Sequence, residues 1–182
     1  MEVLKMGYLK LATENFKSIK NQSERAMEQL KLEELHYSPT EESNSIAIIA
    51  KHMSGNLKSR FRDFLTSDGE KPDRDRDGEF EGAFQTREDL FSHWNAGWNI
   101  LFQTLSQLSQ EDLDKTVYIR NEPHTVIEAI QRQVVHQASH AGQIVYLAKL
   151  IKNEEWSTLS IPKGKSRQFN ANMMSALNKE ET

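Results

Sequence analysis

His136 and His140 stand four residues apart in the segment 134–150, VVHQASHAGQIVYLAKL. On an α-helix this spacing sets two imidazoles on successive turns, about 40° apart around the axis, where both rings can coordinate one ion. Ile130, Val134 and Ala141 form the centre of the apolar stripe and Arg132 and Ser139 its water side, so both histidines fall at one margin. His52 occupies the equivalent margin of an earlier segment. There Ile46, Met53 and Leu57 define the buried direction, and Asn56 follows one turn later. If the two segments are neighbours, three imidazole nitrogens converge and leave coordination positions for water or substrate, as a catalytic metal site requires. Zinc is the natural expectation, and nickel, iron or manganese accept similar ligands. A histidine at a helix margin also serves as an ordinary packed or hydrogen-bonded side chain, and the matched position of His52 is what favours metal.

The other histidines carry weaker signals. His36 sits at a loop entrance and His93 beside an aromatic stripe, which suits structural or solvent roles; His124 precedes the last long segment and is a candidate for supporting a ligand. Two further motifs fail on inspection. Asp73, Asp75, Asp77 and Gly78 begin like a calcium-binding EF-hand loop, but its twelfth position, which needs a bidentate glutamate, is Phe84, and Arg74 and Arg76 intervene. Gly164, Lys165 and Ser166 resemble the end of a phosphate-binding loop, but Leu159 stands where its first glycine belongs.

Four segments must position these residues, each with apolar side chains at steps of three and four. The first carries Leu9, Ala12, Phe16, Ile19, Ala26 and Leu30, with Ser23 as the polar member; the second Ile46, Ala50, Met53, Leu57, Phe61 and Phe64. The third carries Phe91, Trp94, Trp98, Leu101, Leu105 and Leu108; the fourth Ile127, Ile130, Val134, Ala141, Ile144, Ala148 and Ile151, interrupted by Gln137. Four amphipathic helices predict an all-α four-helix bundle. Ser43 or Ser45, Thr86 with Asp89, and Thr125 with Glu128 offer start signals for the second, third and fourth helices. Thr116–Ile119 is β-prone and reads as a short extended piece. The connection SDGEKPDRDRDGEFEGAFQT, residues 67–86, is long and polar, which in a compact bundle marks a functional or mobile segment. One domain over 1–182 is expected, with the bundle at about 1–155 and a tail at 156–182 holding a weaker helical stretch from about Ser166 to Leu177.

Composition narrows the function classes. A formal charge of -4 supplies no basic excess for nucleic acid. Cysteine is absent, which removes disulfides, thiolate metal sites and a cysteine nucleophile, and suits a reducing cytoplasm. The first residues lack the apolar block of a signal peptide, and no apolar stretch is long enough to span a bilayer. A soluble, cytoplasmic protein is expected.

With one histidine on the second helix and His-x-x-x-His on the last, the chain resembles the DinB/YfiT-like superfamily. HQASHAGQIVYLAKL is similar to its last-helix motif, and RDRDGEF and IPKGKSRQFN resemble one bacterial branch of it. The resemblance covers approximately residues 1–155. It implies a four-helix bundle, commonly dimeric, with a divalent metal in an open histidine-rich site, His52, His136 and His140 taking the ligand positions. Some members are thiol S-transferases that use low-molecular-weight thiols such as bacillithiol, mycothiol or glutathione.

With no cysteine in the chain, any reacting sulfur must come from a low-molecular-weight thiol. The leading expectation is a metal-dependent S-transferase acting on a small-molecule electrophile in detoxification. Asn56 and Gln143, near the ligands on their helices, are candidates for orienting a ring, a water or substrate, and Arg60 for meeting a substrate carboxylate or forming a surface ion pair. Metal-assisted hydrolysis is the chief enzymatic alternative. A dimeric bundle that binds a metal or small ligand without turnover is the non-enzymatic one. Trp94 and Trp98, on an unbroken apolar stripe, read as core or dimer interface more readily than as a ligand pocket.

Overall fold

Six α-helices and one β-hairpin make up residues 2–180, which are those described by the computed structural model. Met1, Glu181 and Thr182, at the ends of the expected domain, lie outside the described residues. Four helices are long: α1 (Glu2–Met27), α3 (Ile46–Phe61), α4 (Arg87–Gln107) and α5 (Val126–Lys152). The short α2 (Leu32–Leu35) follows α1, and α6 (Ser166–Glu180) lies in the tail. The stripes found in the sequence form the core. Phe16, Met53, Leu57, Trp94, Trp98, Leu101, Ile130 and Ile144 are all fully buried, and each such apolar side chain contributes about 1.5–3 kcal/mol or more by leaving water. Ser23 tolerates burial because its hydroxyl donates to the Ile19 carbonyl at 2.9 Å. Phe64 and Leu108 also join the core margin, although α3 and α4 end before them.

The helix starts are chemically specified. Ser45, rather than Ser43, caps α3 by accepting from the Ile48 amide. Thr86 caps α4 through the Asp89 amide. Thr125 and Glu128 form a reciprocal capping box at α5.

Helix direction explains the long connection. Tyr8 Oη donates to the Ile127 carbonyl, and Gln29, just past the end of α1, bonds to Ser157, just past the end of α5, so these two helices run parallel. Ser54 Oγ donates to the His93 carbonyl and Thr104 Oγ1 to that of Phe61, so α3 and α4 also run parallel. Arg87 bonds to Leu30, Trp94 Nε1 donates to Glu24 and Phe16 packs on Trp98, so α1 and α4 are antiparallel. It follows that α3 and α5 oppose each other. A chain entering α4 parallel to α3 must first travel back along α3, about 24 Å at 1.5 Å per residue, and residues 62–86 make that return. Gly97 allows the parallel pair to approach closely, since a Cβ there would stand 2.6 Å from the Ser54 carbonyl oxygen.

The protein is mostly helical, but an all-α reading omits a hairpin. β1 (Thr116–Ile119), the expected extended piece, pairs antiparallel with β2 (Glu122–Thr125), a strand not expected from the sequence. Arg120 and Asn121 turn the chain with φ of 55° and 62°, and Asp68 accepts both of their amides at 2.8 Å. The tail begins against α1 through the Gln29–Ser157 and Arg25–Leu159 hydrogen bonds. Among the described residues no helix is long and apolar enough to cross a membrane.

Candidate metal centre

The opposed course of α3 and α5 brings His52 against the pair His136 and His140. One nitrogen from each ring lies within 4.8 Å of the other two. His52 Nε2 and His136 Nε2 face each other at 3.4 Å, and the His136 and His140 ring centroids are 4.6 Å apart. Among the described residues this is the only cluster of three metal-capable side chains.

Two rings are held from behind. His52 Nδ1 donates to Glu79 Oε2 at 2.9 Å, and His140 Nδ1 donates to Gln143 Oε1 at 2.8 Å. Each bond fixes the tautomer with hydrogen on Nδ1 and leaves Nε2 a bare lone pair. His136 has Nδ1 3.4 Å from the Gln137 side-chain nitrogen, while the Gln137 Oε1 is buried without a partner. Turning that amide over would make Oε1 the acceptor for His136 Nδ1–H and free the third Nε2.

Burial holds His136 well below the usual imidazole range, at about 3, and the neighbouring His140 and His52 add to the effect. Burial also lowers His140, against the opposing hydrogen bond from Gln143. Neutral imidazoles with converging lone pairs form a donor set for a cation. The chemistry of this set, together with two ring-orienting acceptors, fits a metal ion.

Glu79 is the residue sequence reasoning missed. It lies in the 62–86 connection and is 6 % exposed. Burial would raise its pKa. Hydrogen bonds from Arg74 and His52, and the charge of Arg74, outweigh that and hold the carboxyl below its usual range. Arg74 binds it bidentately, Nε to Oε1 and Nη2 to Oε2, each at 2.8 Å. Gly55 on α3 makes room, since a Cβ there would stand 2.6 Å from Glu79 Cδ. The next residue, Phe80, packs its ring on His52 at 4.8 Å between centroids. A glycine inside a helix costs about 1 kcal/mol, and Gly55, three residues after His52, was the available sign that another chain segment approaches there.

The other candidates divide. Gln143 binds His140, in keeping with its expected orienting role. Asn56 is buried one turn beyond His52, with Oδ1 unpartnered. Gln133, three residues before His136 and likewise buried, has an unpartnered Oε1. Arg60 forms an ion pair, the second of its two expected roles, but a buried one and not a surface one: its guanidinium is bound to the Gly69 carbonyl and the Glu70 carboxylate.

The remaining motifs are structural. His36 Nδ1 donates to the Leu32 carbonyl and its Nε2 accepts the Phe84 amide. His124 lies in β2, with Nε2 3.4 Å from Glu122, outside the histidine cluster. Asp73 pairs with Arg62 and Asp75 accepts the Gly78 amide, so two of the three EF-hand-like acids are already engaged. Trp94 and Trp98 are core.

A groove of about 530 Å³ is lined by Asn44, Ile49, Gln143, Tyr146, Leu147 and Leu150, among others. Gln143 belongs to both the groove and the histidine network.

A crystal structure described as that of the conserved protein of locus from Enterococcus faecalis matches with a TM-score of 0.66 at 17% identity, covering 78% of this chain and 95% of that one. At that identity the match speaks for the fold alone. No curated protein matches the chain. Residues 4–165 match a family model described as "Protein of unknown function (DUF1572)", and the chain belongs to that family.

Proposed function

We propose that the protein is a divalent-metal-dependent enzyme of the DinB/YfiT-like superfamily, built as a four-helix bundle on α1, α3, α4 and α5. In this reading His52, His136 and His140 hold one ion, with zinc the first expectation and nickel, iron or manganese chemically suited to the same donors. The observation that carries it is the convergence of three imidazoles, two of them held from behind by Glu79 and Gln143. Three protein ligands leave an open position. When bound, the ion supplies Lewis acidity, which favours the deprotonated form of a thiol or water brought to it.

The chain's own residues do the rest. Glu79 and Gln143 keep Nδ1 protonated and the Nε2 lone pairs directed inward. Phe80 shields one face of His52 from water. The mixed apolar and polar groove beside Gln143 receives the small-molecule substrate. Since the chain has no cysteine, we assign the reacting sulfur to a low-molecular-weight thiol of the bacillithiol kind and the reaction to thiol S-transfer, with a homodimer as the working assembly. Metal-loaded protein incubated with bacillithiol or glutathione and monochlorobimane tests this: thiol-dependent conjugate formation, lost on His136→Ala, is expected, and no conjugation above the metal-free rate contradicts it.

Metal-assisted hydrolysis is the second reading. It is favoured by the unpartnered carbonyl oxygens of Asn56 and Gln133, two buried acceptors that suit an ordered water near the ligands. Turnover of ester, amide or phosphate substrates without added thiol distinguishes it.

A further inference from the structure

A second cavity, of about 310 Å³, is bounded by α3, α4 and the 62–86 connection. Arg74 and Glu79 line it, whereas none of the three clustered histidines does. Lys51, Lys58, Arg62, Lys71 and Arg74 face Asp73, Asp75 and Glu79 across it, so cations outnumber carboxylates. The carboxylates are already engaged: Asp73 with Arg62, Glu79 with Arg74 and His52, and Asp75 with the Gly78 amide. Two of the lysines are engaged as well. Lys51 Nζ donates to the Gly78 and Glu81 carbonyls, and Lys71 Nζ to that of Asp68.

Lys58 and His93 remain. Lys58 is half-buried and has no hydrogen-bond or ion-pair partner among the described residues, and burial lowers its pKa. His93, from α4, has a buried Nε2 without a partner, while its ring also bonds to the Lys51 backbone; burial and then the charge of Lys58 lower its pKa against that bond. A half-buried ammonium without a partner and a buried, unbonded imidazole nitrogen on one cavity wall are each less favourable than when paired. One oxyanion satisfies both: it accepts from the Lys58 ammonium and holds a proton on His93 Nε2, so that the ring donates to it as well and both bonds are charge-assisted.

We propose that this cavity is a binding site for the oxyanion group, phosphate or carboxylate, of a small molecule, with Lys58 and His93 as its direct contacts and Lys71 reinforcing the positive wall. The site is separate from the histidine cluster and does not depend on a metal there. Its volume lies at the lower end of small-molecule pockets, enough for the anionic group and a small organic part.

The test is titration of the full chain with inorganic phosphate and, separately, succinate, at ionic strength held constant with chloride. Side-chain NMR follows the histidine rings, and His93→Gln identifies the His93 signals. The expected result is a saturable shift of the His93 ring by at least one of the two anions. Phosphate alone identifies a phosphoryl ligand and succinate alone a carboxylate. Lys58→Gln weakens that affinity at least tenfold, whereas Lys58→Arg retains it, and the metal content of Lys58→Gln equals that of the wild type. No saturable His93 shift with either anion, or undiminished affinity in a folded Lys58→Gln protein, overturns the proposal; the wild-type titration decides alone if Lys58→Gln does not fold.

Discussion

Glu79 Oε2 lies 2.9 Å from His52 Nδ1 and links the long 62–86 connection to the candidate metal centre. The same carboxylate is clamped by Arg74. Loop order and ring orientation are therefore one structural unit. Carboxylates that hold a ligating histidine typically contribute 10- to 100-fold in metal affinity. Glu79→Gln is expected to weaken zinc affinity by about that factor, measured by competition with a chromophoric chelator. Unchanged affinity would separate Glu79 from the site.

Glu79→Ala has a second consequence. Arg74 and Glu79 are both buried, their side chains 5% and 8% exposed. Removing one partner of a buried pair costs about 3–5 kcal/mol. Denaturant unfolding is expected to show a loss of that size.

Gly55→Ala tests the same unit from the helix side. The added methyl group meets Glu79 Cδ at 2.6 Å, and overpacking of this kind costs about 1–3 kcal/mol. The displaced carboxylate should also weaken metal affinity. Because both changes act through one contact, Gly55→Ala with Glu79→Gln should lose less than the sum of the single losses; full additivity in a double-mutant cycle would mean that Gly55 acts elsewhere.

The sequence made the four helical stripes legible because burial of one helix face imposes its period directly on the residues. It also made the histidine trio legible, since ligand spacing on a helix is local and His52 shares the margin position of the pair. The connection was not legible in the same way. Glu79 and Phe80 reach His52 through the path of an irregular segment, which no periodicity records, and only its length hinted at the parallel course of α3 and α4. The burial of Arg60 was not legible because its place on the helix margin says nothing of the loop that covers it. Of the hairpin, β1 was legible in the β-prone Thr116–Ile119, whereas β2 escaped because it contains Pro123 and carries no alternating apolar pattern.

Tyr8 predicts an alkaline transition. Burial pushes its hydroxyl up to about 12, and that hydroxyl donates to the Ile127 carbonyl at 3.0 Å. A folded pKa above the unfolded value of about 10 means that the stabilisation is complete below pH 10 and is lost as pH rises through 12. Unfolding free energy should fall across that window in the wild type, and the Tyr8 part of the fall should vanish in Tyr8→Phe.

The most direct measurement is the metal content of protein purified without an affinity metal column, compared with His136→Ala/His140→Ala prepared identically. About one divalent ion per chain in the wild type and a large loss in the folded double variant is the predicted result. Equal metal content in the two proteins, or none in a wild type offered zinc, contradicts the assignment.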